Sequence, residues 1–293
     1  MRSLLKLVPF VLLVLALSAC ASLDLSAGNI VQGIQAGQKV VEAEQTEFTP
    51  EQEYYIGRAV AANILSTRKV YDNKRATDYL NVLERALVIY SDRPETFGGY
   101  HVLIMDSDEV NAFSAPGGLI LVSRGLLRCA TNEDTVAGIL AHETSHVVLK
   151  HGLNAIKEAR KTAAYRNLAM TGVAVAGSPE LRQLTDTFKD SIADITNTMV
   201  NSGYSRDLEF QADQMALQIM RAAGYDPRGF VAMLQVMETK LKPGGLDFAK
   251  THPDPKDRIL RCGKTLADAP AVTTTPQAQA ARQARYQAAL GTI

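Results

Sequence analysis

Two histidines four residues apart, His142 and His146, constrain this chain more than any other feature of its sequence. Residues at positions i and i+4 of an α-helix lie on the same face, so both imidazoles can reach one tetrahedral zinc ion. Glu143, beside the first histidine, can accept a proton from a water molecule at the open metal position. The string is an HExxH pattern and predicts a zinc site on a helix.

The flanking residues predict that this pattern lies on a buried helix. Thr131 can cap a helix whose first turn contains Asp134, and Val136, Leu140 and Val147 form its apolar stripe. An HExxH string arises by chance in about one chain of this length in a hundred. The chain has five histidines in total. Finding two of them at this spacing on such a helix therefore favours a metal site over chance.

A hydrolytic zinc site needs a third protein ligand and keeps its fourth position for water. Glu209 and Asp213, again four residues apart, fit this need. Glu209 would bind the metal, and Asp213 would accept the free ring N–H of a ligating histidine. The alternative for this pair is a solvated acidic face. His151 follows His146 by five residues on another helical face, so we expect a helix-terminus or surface role for it.

Several other strings accompany these residues. They are Asn111–Phe113, Pro116–Gly118, Gly125–Leu127, Glu133–His142, Ser205–Asp213, Thr251–Pro253 and Asp257-Arg258. Together with HExxH and the downstream Glu-x-x-x-Asp, they resemble the gluzincin metalloproteases related to the CAAX prenyl endopeptidase, HtpX and the periplasmic quality-control lipoproteins. The resemblance covers roughly residues 49–266.

The resemblance implies a role for each matching residue and one Zn²⁺ per chain. By it, the metal ligands are His142, His146 and Glu209, the general base is Glu143, and Asp213 supports a ligand. In related envelope proteases, a histidine at the position of His252 approaches the zinc and occupies the water site, or helps to stabilise the oxyanion. The alternative for His252 is a surface histidine beside a proline.

The resemblance also implies a substrate strand. Asn111, Ala112 and Phe113 correspond to the edge strand just before the zinc helix. Our own hypothesis is that an extended peptide adds along the edge near residues 111–115 through sequence-tolerant backbone hydrogen bonds. Tyr204 and Arg206 are further candidates for contacts to substrate or oxyanion.

The periodicity of the chain predicts an α+β fold, a mainly helical zincin-like domain with a small β-sheet beside the active-site helix. Thr49 and Pro50 mark a helix start. Pro116–Gly118 suits a type II turn joining two strands as a hairpin. The expected helices are 50–66 and 76–90, the strands 100–105, 110–115 and 119–122, and further helices run over 132–241 with breaks near 177–179, 201–203 and 224–227.

The N-terminus predicts export. Arg2 and Lys6 precede the apolar run Leu7–Leu17, which is too short to span a bilayer and is typical of a secretory signal. The following Ser-Ala-Cys completes a string that resembles the lipobox of bacterial lipoproteins, with lipidation on Cys20; the alternative is a signal without an anchor. Ala21, rather than Asp, favours the outer membrane if the source is a diderm bacterium.

The predicted domains are a signal peptide at 1–19, a tether with an entry helix at 20–48, the metalloprotease domain at 49–266 and a peripheral tail at 267–293 that could end in a short helix. The nine-residue apolar run Leu168–Ala176 is too short for a second membrane segment and suits a buried helix or a cleft rim. Cys129 and Cys262 could form a disulfide or lie apart as buried thiols.

Lysine plus arginine and aspartate plus glutamate are equal in number, 31 each, which argues against nucleic acid as a partner. We therefore expect a zinc-dependent endopeptidase on the periplasmic face of the outer membrane, anchored through Cys20 and acting on unfolded or damaged envelope proteins. Two alternatives stay open. One is a non-catalytic zinc-containing chaperone or assembly factor for outer-membrane proteins, and the other is a latent protease whose metal site is closed by His252.

Overall fold

The computed structural model describes residues 47–158, 196–240, 252, 255–267 and 269–293. The predicted signal peptide, the lipidation site Cys20, nearly all of the tether and the apolar run Leu168–Ala176 lie outside these residues. Within the described residues, no helix is both long and apolar enough to cross a membrane.

Two helices, α1 (Pro50–Leu65) and α2 (Lys74–Val88), come first. The predicted start of α1 is confirmed, because Thr49 and Gln52 form a reciprocal capping box ahead of the proline. Helix α2 begins and ends two residues earlier than predicted. Its cap is Asn73, whose side-chain oxygen accepts the Ala76 amide at 3.1 Å.

The strands are β1 (His101–Met105), β2 (Ala112–Ala115) and β3 (Leu119–Ser123). They form one sheet in the order β1-β3-β2, in which β1 is parallel and β2 antiparallel to β3. The predicted hairpin is confirmed: Gly117 has φ +74°, and the Gly118 amide donates to the Ala115 carbonyl at 3.3 Å, as a type II turn after Pro116 requires. Strand β2 is therefore an edge strand.

The remaining elements are α3 (Arg124–Leu127), α4 (Glu133–Val148), a helical segment at 151–158, a π-helix (Thr198–Ser202), α5 (Arg206–Ala222), α6 (Arg228–Lys240), α7 (Pro255–Ala267) and α8 (Pro276–Leu290). Two predicted breaks are confirmed, since the π-helix ends at Gly203 and a non-helical stretch at 223–227 separates α5 from α6. The third, near 177–179, lies outside the described residues.

Helix α4, which contains the HExxH string, begins differently from the prediction. Its cap is Asn132 rather than Thr131: the Asn132 side chain accepts the Thr135 amide at 2.9 Å, and the Thr135 hydroxyl accepts the Asn132 amide. The helix is also buried on every side, not along one stripe. It is enclosed because β2, α2, α5 and α6 all pack against it.

The sheet has an apolar core on each face, because alternate residues of a strand point to opposite sides. One face joins the larger core with α2, α4, α5 and α6, and the other packs on α1 and the 151–158 segment. On β3, for example, Ile120 and Val122 belong to the larger core, whereas Leu119 and Leu121 belong to the smaller one. Helix α4 packs in the larger core through Val136, Ile139 and Leu140, which positions the helix that carries the two histidines.

The C-terminal segment is not peripheral, contrary to our expectation. Helix α8 buries Tyr286, Ala289 and Leu290 in the larger core. The Tyr286 hydroxyl donates to the Ala130 carbonyl at 2.7 Å, and Arg285 pairs with the buried Glu133 at the start of α4. The expected terminal helix is present, and its apolar residues pack on the core because Tyr286 and Arg285 also find polar partners there.

The two cysteines within the described residues are buried thiols that do not pair with one another. Cys129 donates its thiol to the Gly125 carbonyl at 3.4 Å, and burial raises the pKa of Cys262 to about 12. Of the two alternatives, the structure therefore supports small buried thiols in the core.

Candidate metal centre

Four side chains converge at the centre of the fold. His142 and His146 come from α4, Glu209 comes from α5, and His252 precedes α7. One nitrogen or oxygen from each lies within 4.8 Å of all the others, and every one of the four side chains is buried. The sequence predicted that the first three would meet, and the structure brings them together with the fourth.

The distances between these atoms suit a metal ion. His142 Nε2 lies 3.1 Å from His146 Nε2, and Glu209 oxygens lie 3.5 Å and 3.3 Å from these two nitrogens. A tetrahedral zinc site with bonds of about 2.0–2.1 Å places its ligand atoms roughly 3.3 Å apart. Glu209 Oε1 is also buried without a hydrogen-bond partner in the described part of the chain. An unsatisfied carboxylate oxygen facing two imidazoles fits a divalent cation.

Glu209 is ionised, as a metal ligand must be. Burial alone would raise the pKa of this carboxyl, but the charges and hydrogen bonds of the surrounding histidines lower it well below its ordinary value. Its position follows from α5, which begins after Ser205, whose hydroxyl accepts the Leu208 amide. Helix α5 packs along α4, so the side chain of Glu209 meets the histidine face directly.

Asp213 lies one turn further along α5 and contacts the other nitrogen of His142. Its Oδ1 is 3.0 Å from His142 Nδ1, the arrangement expected of a carboxylate that accepts the free ring N–H of a metal ligand. Burial would raise the pKa of Asp213, but the Arg258 charge and the hydrogen bonds from His142 and Arg258 lower it to about 2. The group is therefore a carboxylate across the physiological pH range.

Arg258 is a buried residue of this centre that sequence reasoning missed. Its side chain is fully buried and donates to Asp213 twice, from Nε at 2.9 Å and from Nη2 at 2.6 Å. Its Nη1 lies 3.5 Å from Glu209 Oε2. Arg258 belongs to one of the strings that carried the family resemblance. Its position six residues after His252 was the one sequence feature that could have indicated a place near the metal centre. A buried guanidinium here compensates two buried carboxylates.

His252 is buried and lies against the metal centre. Its Nδ1 is 2.8 Å from Glu209 Oε2, and its ring centroid is 5.4 Å from that of His142. The alternative of a surface histidine is contradicted by its 4% exposure. This position lets the imidazole act as a fourth ligand or contact a group that is bound by the metal.

Glu143 faces a small cavity that lies between the helix and the sheet edge. The side chain is 1% exposed, so any water it contacts is held in a confined space. The cavity is lined by Ala112, Phe113, Ser114, Glu143, Met199, Tyr204 and His252. The structure thus places two of the predicted substrate-strand residues beside the predicted base.

The outer edge of β2 offers backbone hydrogen-bonding groups toward this cavity. In the antiparallel pairing with β3, Asn111 and Phe113 face β3, so the backbone groups of Ala112 and Ser114 face outward. Asn111 itself does not line the cavity: its side-chain oxygen accepts the Ala112 amide at 2.9 Å. It shapes the strand locally, whereas its two neighbours line the cavity.

The two further candidates differ in position. Tyr204 stacks on His146, with ring centroids 4.5 Å apart, and its hydroxyl is buried without a hydrogen-bond partner among the described residues. Arg206 is 70% exposed and pairs with Asp257 at 3.3 Å. Only Tyr204 lines the cavity that contains Glu143.

His151 does not have the surface role that we expected. The residue is 1% exposed, and its Nδ1 lies 2.9 Å from Nδ1 of His146. Burial and the nearby His146 lower the pKa of its imidazole to about 3, so the ring is neutral. The expectation assumed one continuous helix from His146 to His151, and the structure shows that α4 ends between them.

Comparison with known proteins identifies the family. Residues 73–265, more than half of the chain, match the family model of peptidase family M48. The chain belongs to peptidase family M48. The matched region contains the HExxH string, Glu209, Asp213, His252 and Arg258.

Several curated proteins resemble this M48 chain. The beta-barrel assembly-enhancing protease of Escherichia coli strain K12 is 25% identical over 215 residues, which is 71% of this chain and 42% of that protein. The Yersinia pestis protein of that name is 25% identical over 246 residues, which is 80% of this chain and 49% of that protein. The mitochondrial metalloendopeptidase OMA1 of Schizosaccharomyces pombe is 30% identical over 165 residues, which is 54% of this chain and 44% of that protein. The chain matches less than half the length of each of these relatives.

Proposed function

We propose that this M48 chain is a zinc-dependent endopeptidase of the bacterial cell envelope that hydrolyses unfolded or damaged envelope proteins. The observation that carries the proposal is the cavity in which Glu143 meets the outer edge of β2, directly beside the group of buried histidines and Glu209. A base, a peptide-binding edge and a metal-binding group in one place suit peptide hydrolysis.

In this proposal His142, His146 and Glu209 hold one zinc ion. Their donor set of two imidazoles and one carboxylate, with atoms 3.1–3.5 Å apart, is that of a catalytic zinc site. When bound, the metal supplies Lewis-acid polarisation of the scissile carbonyl and lowers the pKa of water. Asp213, itself held by Arg258, orients His142 through its Nδ1.

The chain's own residues provide substrate alignment and proton transfer. The outward carbonyl of Ala112 and the outward amide and carbonyl of Ser114 pair with an extended peptide, whatever its side chains, while the Ala112 amide stays bonded to Asn111. Glu143 takes a proton from the attacking water and returns it to the nitrogen of the departing amine. Backbone pairing requires an extended segment, which a folded protein rarely exposes, so unfolded chains are the natural substrates.

The envelope location rests on two considerations. The predicted secretory signal with Cys20 favours a lipid-anchored protein on the periplasmic face of the outer membrane. The name beta-barrel assembly-enhancing protease, carried by relatives at 25% identity, favours outer-membrane proteins among the substrates.

A second candidate is a latent form of the same protease. His252 Nδ1 lies 2.8 Å from Glu209 Oε2 and belongs to the same four-atom group as the three proposed ligands. Closed four-ligand zinc sites are typical of structural zinc, whereas catalytic sites keep one position open. In this form, His252 would withdraw when a client or partner binds.

The test is cleavage of casein by the full chain, comparing wild type with Glu143→Gln and measuring zinc in both. We expect cleavage by the wild type only, with one equivalent of zinc in each. Equal cleavage by the two would contradict Glu143 as the base. Zinc in both without cleavage in either would favour the latent form or the non-catalytic chaperone. Activity in His252→Ala would then identify the latent form, and its absence the chaperone.

A further inference from the structure

The two nitrogens of His146 face different partners. Nε2 points into the metal-binding group, 3.1 Å from His142 Nε2 and 3.3 Å from Glu209 Oε1. Nδ1 points the other way and lies 2.9 Å from Nδ1 of His151, with the two ring centroids 4.9 Å apart. When Nε2 binds a metal, Nδ1 must carry the ring proton, and His151 Nδ1 is in place to accept it.

We propose that His151 is a positioning residue for the metal site: it accepts the Nδ1–H of His146 and thereby fixes the tautomer and orientation of that ligand. This inference rests on the metal site of the proposed function. Ligating histidines nearly always donate their second N–H to a fixed acceptor, and loss of that acceptor weakens metal binding. For His142 the acceptor is Asp213, whereas for His146 the described residues offer His151.

The backbone between the two histidines is built for this contact. On a continuous helix, residues five apart lie about 140° apart around the axis and cannot meet. Here α4 ends at Val148, and Lys150 has φ +55°, the one left-handed residue other than glycine in the described part of the chain. The helix then resumes at 151 in a new direction, which returns the His151 ring to His146.

The side chain of Lys150 pairs with a buried carboxylate of α1. Its Nζ lies 2.9 Å from Oε1 of Glu53, a carboxylate of α1 that is 1% exposed and also pairs with Arg93. Left-handed backbone is costly for a side chain such as lysine, and such residues concentrate at functional sites. A left-handed residue just after the C-cap Leu149 is a common helix ending, and here it has the consequence that His151 contacts His146.

A neutral acceptor also suits the charge of the site. The guanidinium of Arg258 and a divalent cation would together bring three positive charges, and the carboxylates of Glu209, Asp213 and Glu143 bring three negative charges. A carboxylate in place of His151 would leave a net negative charge in a buried centre, which is unfavourable. An imidazole accepts the same hydrogen bond without adding charge.

The experiment measures Zn²⁺ affinity of the purified full chain by competition with a chromophoric chelator. We compare the wild type with His151→Leu, which removes the acceptor, and with His151→Asn, whose amide oxygen can occupy the position of Nδ1. The control is His101→Leu, since His101 is an exposed histidine outside the site. We expect His151→Leu to weaken zinc binding by about 10–100-fold, His151→Asn to restore most of it, and His101→Leu to change nothing.

Two results would overturn the inference: wild-type affinity in His151→Leu, or equal losses in the Leu and Asn variants, which would indicate packing alone. A wild type without zinc affinity would instead reject the proposed metal site, and this inference with it. Should His151→Leu fail to fold, nitrogen NMR of the zinc-loaded wild type tests the inference by showing which ring nitrogen of His151 carries the proton. His151 must then carry its proton on Nε2, and a proton on Nδ1 would refute the assignment.

Discussion

Asp213 Oδ1 lies 3.0 Å from His142 Nδ1, while Glu209, one turn earlier on the same helix, faces Nε2 of that histidine. Helix α5 therefore supplies the proposed metal ligand and the group that orients another ligand from a single face. The spacing of four residues that brings this about in α5 is the same spacing that pairs His142 with His146 in α4. Two helices packed side by side thus bring together three of the four side chains of the centre, and His252 joins them from the segment before α7.

The Asp213 contact gives the first prediction. Asp213→Asn removes the negative charge that holds His142 and leaves the buried Arg258 less well compensated. We expect zinc affinity to fall by about 10–100-fold, measured by chelator competition. Asp207→Asn is the matched control on the same helix, because Asp207 is exposed; an equal loss in both variants would contradict the proposed role.

The outer edge of β2 gives the second prediction. Ser114→Pro removes a backbone N–H that faces away from β3, so the sheet keeps its ladder while a bound peptide loses a donor. We expect kcat/KM on casein to fall by about tenfold or more, from one lost hydrogen bond of about 1–1.5 kcal/mol, with zinc content unchanged. Ser114→Ala keeps the N–H and should retain activity. Loss of activity in Ser114→Ala, or full activity in Ser114→Pro, would count against strand addition.

Glu84 gives a prediction on pH. Burial raises the pKa of this α2 carboxyl to about 8, although its hydrogen bond from Thr144 at 2.6 Å opposes the rise. The folded protein thus keeps a proton on Glu84 that the unfolded chain releases near pH 4.5. The contribution of this proton to the free energy of unfolding is fully present below pH 4.5 and is lost as the pH rises toward 8.

Glu84→Gln should abolish this loss. The free energy of unfolding of the variant minus that of the wild type should therefore increase by about 3–4 kcal/mol as the pH is raised from 4.5 to 8. Urea unfolding of both metal-free proteins across this range measures the difference. A constant difference would mean that Glu84 is already ionised in the folded protein at low pH.

Helix α8 gives the fourth prediction. Leu290 is 2% exposed and belongs to the larger core, although it lies three residues from the chain end. Leu290→Ala should lower the free energy of unfolding by about 2–3 kcal/mol, as loss of a buried leucine requires. Leu260→Ala, at a site that is 59% exposed, should cost much less. Equal effects would mean that α8 is not packed on the core in solution.

Local signals in the sequence predicted much of this fold. The capping box at Thr49, the hairpin turn at Pro116–Gly118 and the breaks that flank α5 are each determined by a few adjacent residues, and each is present. The convergence of His142, His146 and Glu209 was also predictable, because helical spacing and metal chemistry restrict how such residues can be arranged.

The residues that were missed depend on tertiary structure. His151 reaches the centre because α4 ends at Val148 and Lys150 adopts a left-handed conformation, so that the chain turns before residue 151. Arg258 reads as a surface cation in sequence, since burial of arginine is rare unless carboxylates from another element surround it. Helix α8 likewise gains its partners from distant parts of the chain.

The most direct test of the account is anomalous diffraction at the zinc edge from crystals of the zinc-loaded chain. The account predicts one zinc per chain, about 2.0–2.2 Å from Nε2 of His142, Nε2 of His146 and a carboxylate oxygen of Glu209. A peak bound by other residues, or no zinc between α4 and α5, would contradict it.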